Sequence, residues 1–318
     1  MASFGDLNRV GTNVQSLDAQ LSLNRINRDL ANSQKRLTTG KKINRAEDNA
    51  AGYSIATKLK SRIAGLEQSL QNVSDAKSVL DIAESSFDIV MDSLIEMKAL
   101  ATQAANDTLG VTERGYIGDK IQAIGSDINE VANQTIYQDQ ELLNGVNNSG
   151  VITLTFQTGE RQEDTIVANI NAVNIGELFT SGADTNLGAT ATAGGGAGAG
   201  AAIAVSAATA GDKGTFTFAS TATAADFNAF ITSIDSAIDA MAENVNAIGI
   251  TQSSLSLREE TLSESISANE SAKSRILDTD FAKEQAESVR LQILQQTATA
   301  ALAQANTQPQ SVLGFLGQ

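Results

Sequence analysis

Between Phe227 and Ile266 an apolar residue recurs at alternating steps of four and three without a slip. The series is Phe227, Ile231, Ile234, Ile238, Met241, Val245, Ile248, Gln252, Leu255, Glu259, Leu262 and Ile266, and only Gln252 and Glu259 in it are polar. A mean period of 3.5 residues, held this long, keeps one helix face turned towards a second helix. Gly249 inside the series costs about 1 kcal/mol against Ala, which softens the helix without ending it. Thr223 with Asp226 supplies a capping pair in front of it. The chain has one proline in 318 residues, Pro309. An interior proline costs a helix about 3 kcal/mol, so this near-absence leaves very long helices open.

The same period appears in the first half. Leu7, Val10, Val14, Leu17 and Leu21 form a heptad seam, which slips to Leu23, Ile26, Leu30 and Leu37. The slip moves the apolar stripe around the helix, so more than one neighbour is expected. Gly40-Lys41-Lys42 breaks the pattern, and Asn44 with Glu47 reads as the start of a second helix with Asn44 in the cap position. That helix runs to about Gln103. Its seam is Leu59, Ile63, Leu66, Leu70, Val73, Leu80, Phe87, Met91, Leu94 and Ala101, with Lys77, Glu84 and Lys98 as polar interruptions. A second stripe, Ala76, Val79, Ala83, Val90 and Met97, is assigned to another face. After the turn Asn106–Gly110 a shorter helix runs from Thr112 to Asn133. The last helix starts at Asp278 or Asp280 and carries Ala286, Val289 and Ile293 on one stripe and Leu291, Leu294, Ala298, Ala301 and Ala305 on another. An end helix apolar on two sides has no core of its own to enter. The economical source of neighbours is other copies of the chain, and contacts that do not close into a ring generate helical lattices.

The period changes to two at Ile152, Leu154 and Phe156, and again at Ile166, Ala168 and Ile170, which predicts a β-hairpin with one buried face. Residues 171–212 interrupt the apolar pattern. From Leu187 to Gly211, 18 of 25 positions are Ala or Gly, too little apolar area to offset the ordering of so many glycines. A loop-rich, exposed insertion is expected there, followed by a weak strand at Thr215–Phe218.

The expected fold is mainly α, a long antiparallel coiled-coil bundle formed by both chain ends, with a small β-hairpin region and a short Ala/Gly-rich surface insertion. Its segments are 1–43, an N-terminal inner helix; 44–140, N-terminal outer helices; 141–170, the hairpin; 171–222, the insertion; 223–272, a C-terminal outer helix; and 273–318, a C-terminal inner helix.

Chemistry is restricted by what is missing. There is no Cys and no His, which removes thiolate nucleophiles, imidazole acid–base catalysis and the usual zinc and haem ligands. A net charge of −15 disfavours nucleic acid and anionic membrane as partners. Met1–Asp6 has no basic region followed by an apolar run, so no Sec signal is expected, and no stretch approaches the ~20 apolar residues of a membrane span. Gly194–Gly200 lacks the spacing and strand–turn–helix setting of a nucleotide loop. Lys35, Arg36, Lys41, Lys42 and Arg45 have no interleaved aromatics, and read as a solvated hinge or as partners for acidic residues of a neighbouring copy. Asp278, Asp280 and Glu284 read as helix caps rather than paired catalytic carboxylates. No catalytic, metal or cofactor site is expected.

Several long motifs stand in order at both ends: Ser16–Gln20, Arg36–Gly40, Ile43-Asn44-Arg45-Ala46-Glu47-Asp48-Asn49-Ala50-Ala51-Gly52-Tyr53, Gln103–Thr108, Gln140–Gly145, Ser274–Ala282, Leu302–Asn306 and Pro309–Leu313. With these the chain resembles the bacterial flagellins over about 1–170 and 215–318. The resemblance implies a non-enzymatic, extracellular subunit that polymerises into the helical flagellar filament, the propeller of swimming. It implies inner-core packing between subunits through Leu7, Val10, Val14, Leu17, Leu21, Val289, Ile293, Leu294 and Leu302. Within the subunit it implies a coiled coil through Leu59, Ile63, Leu66, Leu70, Phe87, Met91, Ile234, Ile238, Met241, Val245 and Ile248. It further implies type III export, an export chaperone near the C-terminus, a distal cap protein and hook-associated proteins as partners. Family members that trigger the host Toll-like receptor carry an Arg where this chain has Glu96, whereas Leu100 and Gln103 match; the reversed charge predicts weak signalling. The hook–filament junction proteins share similar termini and are the nearest alternative, ahead of an adhesin or enzyme-bearing surface subunit built on 171–212.

Overall fold

The computed structural model describes residues 13–144, 151–180, 203–206 and 214–316; the side chains of 180 and of 308–316 fall outside that description. The described residues form six helices and three two-stranded antiparallel sheets. The chain divides into two compact units, one of residues 1–64 with 266–318 and one of residues 65–265. The division falls inside two helices, at 64/65 and 265/266, whereas the expected boundaries of the inner and outer segments lay at 43/44 and 272/273.

In the terminal unit α1 (Val14–Thr39) lies antiparallel to α6 (Phe281–Leu316). Their register is set by polar ties: Asn13 Nδ2 donates to the Ala305 carbonyl at 2.7 Å, and Gln295 Nε2 donates to Asn27 Oδ1 at 2.8 Å. Asn13 also caps α1, its Oδ1 accepting from the Ser16 amide at 3.0 Å. Gly40 ends α1 at φ 69°, the left-handed position glycine fills without a Cβ penalty. From there Lys42 N–H donates to the Leu277 carbonyl at 2.6 Å and Thr279 N–H to the Gly40 carbonyl at 3.0 Å. The breaks α1/α2 and α5/α6 are thus pinned to each other by a one-residue bridge, Lys41 to Asp278.

The second helix, α2, runs Ala50–Ala104, five residues later than the Asn44 cap predicts. The reason is local. The Asp48 carboxylate accepts the amides of Asn44 (2.9 Å) and Arg45 (3.0 Å) and closes a turn. The cap role passes to Asn49, whose Oδ1 accepts from Gly52 N–H at 2.9 Å. Those two backbone donors, with Arg36 and Lys35 nearby, hold the Asp48 carboxyl below its ordinary range. Buried Ile43 lies against Gly52, where a Cβ would come within 2.7 Å of its Cδ1.

In the central unit α2 buries Leu66, Ser69, Val73, Ala76, Leu80, Ala83, Phe87, Val90, Leu94, Met97, Ala101 and Ala104. These are steps of three and four, and Val79 is buried beside Leu80 outside that series. The two stripes expected on separate faces are therefore the two core positions of one heptad seam. Its partner is α5 (Ala224–Leu277), which Thr223 starts as expected, with the Asp226 carboxylate accepting Thr223 N–H at 2.7 Å. In α5 the buried line is Phe227, Phe230, Ile234, Ala237, Met241, Asn244 and Ile248, then Leu255 and Leu262. The series at 227, 234 and 241 follows the expectation. The second line lies one residue earlier than expected, and Ile231, Ile238 and Val245 are only half-buried.

The displacement has a cause. Helix α3 (Val111–Gln134), α4 (Ile175–Thr180) and the strand pair β5 (Ile203–Ser206) and β6 (Thr215–Phe218) build an aromatic cluster on that side. Phe216 packs edge-on against Phe179 and Phe230, with centroids at 5.0 and 5.2 Å, and Phe218 stacks on Phe227 at 5.8 Å. Five of the chain's ten phenylalanines gather here. A chain with 4% aromatics still concentrates them where one layer must be thick. Two glycines of α3 make room: a Cβ on Gly118 would come within 2.9 Å of Phe218, and one on Gly125 within 2.8 Å of Phe216.

This cluster corrects the reading of 171–212 as exposed throughout. Ala172, Val173, Asn174, Ile175, Leu178 and Phe179 are buried, as are Ile203 and Val205. The Ala/Gly tract between them, 181–202, lies outside the described residues, as do 207–213. The hairpin β3 (Val151–Gln157) and β4 (Thr165–Asn171) pairs Ile152 with Ile170 and Phe156 with Ile166, the expected alternation. Its loop end is tied to α2 by Asn72 Nδ2 donating to the Gln157 carbonyl at 3.1 Å, and to α5 by Arg258 Nε donating to the Thr158 carbonyl at 3.0 Å. A two-residue pair, β1 (Ile136–Tyr137) with β2 (Gln140–Glu141), turns through Gln138 and Asp139 at positive φ.

Candidate assembly surface

The residues expected to pack between subunits divide into two sets. Along the α1–α6 contact Leu30, Leu291 and Ala305 are buried, and Val14 and Leu302 are half-buried. Leu17 and Leu21 remain 55% and 50% exposed, and Val289, Ile293 and Leu294 are also exposed, Ile293 at 58%. Leu7 and Val10 lie outside the described residues. One stripe of each terminal helix thus covers the other, and a second stripe of large aliphatic side chains faces outward. Burying such a side chain is worth about 1.5–3 kcal/mol. Five of them on one unit form a surface that favours covering by another protein face.

The seam of the central unit is different, because its polar interruptions are matched. Lys77 Nζ lies 2.9 Å from Glu259 Oε2, Gln252 Nε2 donates to Glu84 at 2.7 Å and to Asp81 at 2.9 Å, and Lys98 pairs with Asp235. The interruptions in α2 and those in α5 were seen separately in the sequence; the antiparallel register brings them together. They flank the core at half-exposed positions, where each pair contributes little stability and instead penalises a slipped register. Of the other seam residues, Ile63, Leu66, Phe87, Ile234, Met241 and Ile248 are buried, while Leu59, Leu70 and Met91 are half-buried.

On the outer face of α2, Glu96 accepts from Lys120 Nζ of α3 at 2.8 Å; Leu100 is half-buried and Gln103 exposed. Of the three positions that the resemblance ties to the receptor, Glu96 is thus a carboxylate engaged by a lysine.

Three structural residues went unrecognised in the sequence. Arg114 is buried and donates from Nε to the Ala104 carbonyl and from its guanidinium to the Asn106 carbonyl, both at 3.1 Å, so it caps the end of α2. Asn129 donates to the Gly214 carbonyl at 2.8 Å and accepts from Ile175 N–H at 3.0 Å, joining α3 to β6 and α4. Asn244, in the heptad core, accepts from Asn171 at the end of β4. A lone Arg after a turn is a weak signal for the first, and the other two have none.

Residues 10–148 match the family model of the bacterial flagellin N-terminal helical region, and 231–316 match that of the C-terminal helical region. A flagellin of Bacillus subtilis is 31% identical over 97% of this chain and 99% of its own length. A flagellin of Halalkalibacterium halodurans is 29% identical over 89% of this chain and 90% of its own. The flagellar filament 41 kDa core protein of Borreliella burgdorferi is 27% identical over 91% and 94%.

Proposed function

The chain belongs to the bacterial flagellins, structural subunits rather than enzymes, and from that premise we propose which residues make the filament. Leu17, Leu21, Val289, Ile293 and Leu294 are the residues that neighbouring copies cover, with Leu7, Val10, Val14 and Leu302 continuing the same packing. The α2–α5 seam keeps each subunit rigid while these contacts form. The observation that carries this reading is the outward aliphatic stripe on the two terminal helices, which nothing else in the described chain covers.

The same reading sets the terminal helices as the inner layer of the filament and the α2–α3–α5 bundle with its hairpin as the outer tube. The subunit leaves the cell through the flagellar export channel, held by a chaperone near its C-terminus. It joins the filament beneath a distal cap, next to hook-associated proteins at the base. Glu96, engaged by Lys120, replaces the cation of receptor-activating relatives and makes the monomer a weak agonist of the host Toll-like receptor.

The test is growth of purified subunit onto sheared filament fragments, followed by light scattering and electron microscopy. Leu17→Ser with Ile293→Ser removes two outward side chains and leaves the buried α1–α6 contact intact. Growth is expected to fall by more than about tenfold, since two lost burials exceed the 1.4 kcal/mol that makes a factor of ten. Parental growth by this variant, with unchanged helix content, would refute the assignment.

A further inference from the structure

The charge of the chain is unevenly placed. Residues 1–64 and 266–318 carry 15 Lys and Arg against 10 Asp and Glu, a net of +5; residues 65–265 carry 7 against 27, a net of −20. The formal charge of −15 therefore hides a cationic terminal unit and a strongly anionic central one. Attraction between copies of such a chain is favoured when the terminal unit of one meets the central unit of another, and like meeting like is disfavoured.

Each unit also presents an outward heptad stripe of exposed residues. On α5 the positions 239, 243, 246, 250, 253, 257, 260 and 264 repeat at steps of four and three, and every one is exposed. They read Asp239, Glu243, Asn246, Ile250, Ser253, Leu257, Glu260 and Glu264. Two large aliphatic side chains, Ile250 at 60% and Leu257 at 63% exposure, sit between two pairs of carboxylates. This stripe is distinct from the buried line 241, 244, 248, 255 and 262, which is spent on α2. Among the described residues, none bonds to any of its four carboxylates. In the terminal unit the first turns of α2 carry a matching pattern: Ala51, Ile55, Lys58 and Arg62, also at steps of four, three and four and all exposed, with Ile55 at 51%. One stripe is aliphatic and acidic, the other aliphatic and basic, and both have the 3.5-residue period by which helices pack side by side.

We propose that the α5 stripe Asp239–Glu264 is a docking surface for the terminal unit of a second copy, whose α2 stripe Ala51, Ile55, Lys58 and Arg62 lies against it. The aliphatic residues supply burial and the charges set which faces meet. The contact is heterologous: each copy gives its basic stripe to one neighbour and its acidic stripe to another, which propagates without closing. The proposal deepens the filament reading above and rests on it, since it assigns faces to contacts that reading requires.

Two charge reversals test it. One full-length variant carries D239K, E243K, E260K and E264K; the other carries K58E and R62E; all six positions are exposed, and helix content by circular dichroism establishes that each folds. Added alone to parental filament fragments, each variant can dock at most one layer before meeting its own kind, so elongation is expected to fall about tenfold or more. Mixed in equal amounts, the two restore complementarity at every contact, and elongation is expected to recover to within about threefold of the parent. Growth of either variant alone at the parental rate overturns the proposal. So does failure of the mixture when both are folded, because the two stripes then do not face each other. If the parental chain itself fails to extend the fragments, the filament reading falls and the docking proposal with it, an outcome distinct from the other two.

Discussion

Phe216 and Gly125 offer a sign reversal that follows from one distance. Phe216 is 1% exposed and its ring meets those of Phe179, Phe218 and Phe230, while the α-carbon of Gly125 faces it so closely that a Cβ would stand 2.8 Å from Cδ2 and 3.0 Å from Cε2. Phe216→Ala removes a fully packed ring, a change that costs about 3–5 kcal/mol. Gly125→Ala in the parent gains up to about 1 kcal/mol of helix propensity but forces the ring to move in a filled cluster, an overpacking cost of about 1–3 kcal/mol. It is therefore destabilising on balance. In the Phe216→Ala background the obstructing ring is gone. The added methyl then keeps its propensity gain and fills part of the void, so Gly125→Ala becomes stabilising by about 1 kcal/mol. The coupling between the two changes is thus about 1–3 kcal/mol, well above what independent sites show. Urea denaturation of the unpolymerised subunit, followed by circular dichroism and compared across the four proteins of the cycle, measures it. Additive effects, or a Phe216→Ala cost below about 1.5 kcal/mol, would show that the cluster is not packed as described.

Two further outcomes are specific. Arg114→Ala strands the carbonyl of Ala104 at the end of α2, while the Asn106 carbonyl keeps the Leu109 N–H, and is expected to destabilise the subunit by about 1–3 kcal/mol in the same denaturation assay; Arg114→Lys, which lacks the planar fork, should recover less than half. Asn49→Ala removes the observed cap of α2 and is expected to cost about 1 kcal/mol, against a few tenths for Asn44→Ala; equal effects would return the cap to Asn44.

The coiled-coil plan was legible because a heptad states its own geometry: the positions 227, 234, 241, 248, 255 and 262 are buried where the period puts them. What a period does not state is which side the neighbours approach from. The stripes Leu66–Ala101 and Ser69–Ala104 of α2 belong to one face because α5 lies between them. The second line of α5 moves to Phe230, Ala237 and Asn244 because the aromatic cluster comes from that flank. The cap at Asn49 was hidden for a similar reason, since Asp48 takes the donors of Asn44 and Arg45 and leaves Asn44 outside the helix. Composition misled most in 171–212, where the Ala/Gly tract outweighs the short apolar runs Val173–Phe179 and Ile203–Val205 that reach the cluster. The outward stripe of the terminal helices was legible as a surplus, two apolar faces on helices with a single partner. The acidic stripe of α5 was not, because its two aliphatic residues are sparse and its character shows only once the inner line is known.

Gly40 holds φ 69° and its carbonyl accepts Thr279 N–H, while two residues on Lys42 N–H reaches the Leu277 carbonyl. Both breaks in the helical path are thus fastened by one pair of hydrogen bonds, and neither can open without the other. Gly40→Ala puts a Cβ on a left-handed residue at a cost of about 1–2 kcal/mol, with no atom within 4 Å of that Cβ to add a clash. The strain falls on the pin rather than on the packing of α1 against α6. Amide exchange at Lys42 and Thr279 is therefore expected to rise together, by about tenfold for each 1.4 kcal/mol of strain, while amides in the middle of α1 and α6 keep their protection. If only one of the two amides loosens, the connectors bend independently and the pin does not couple them.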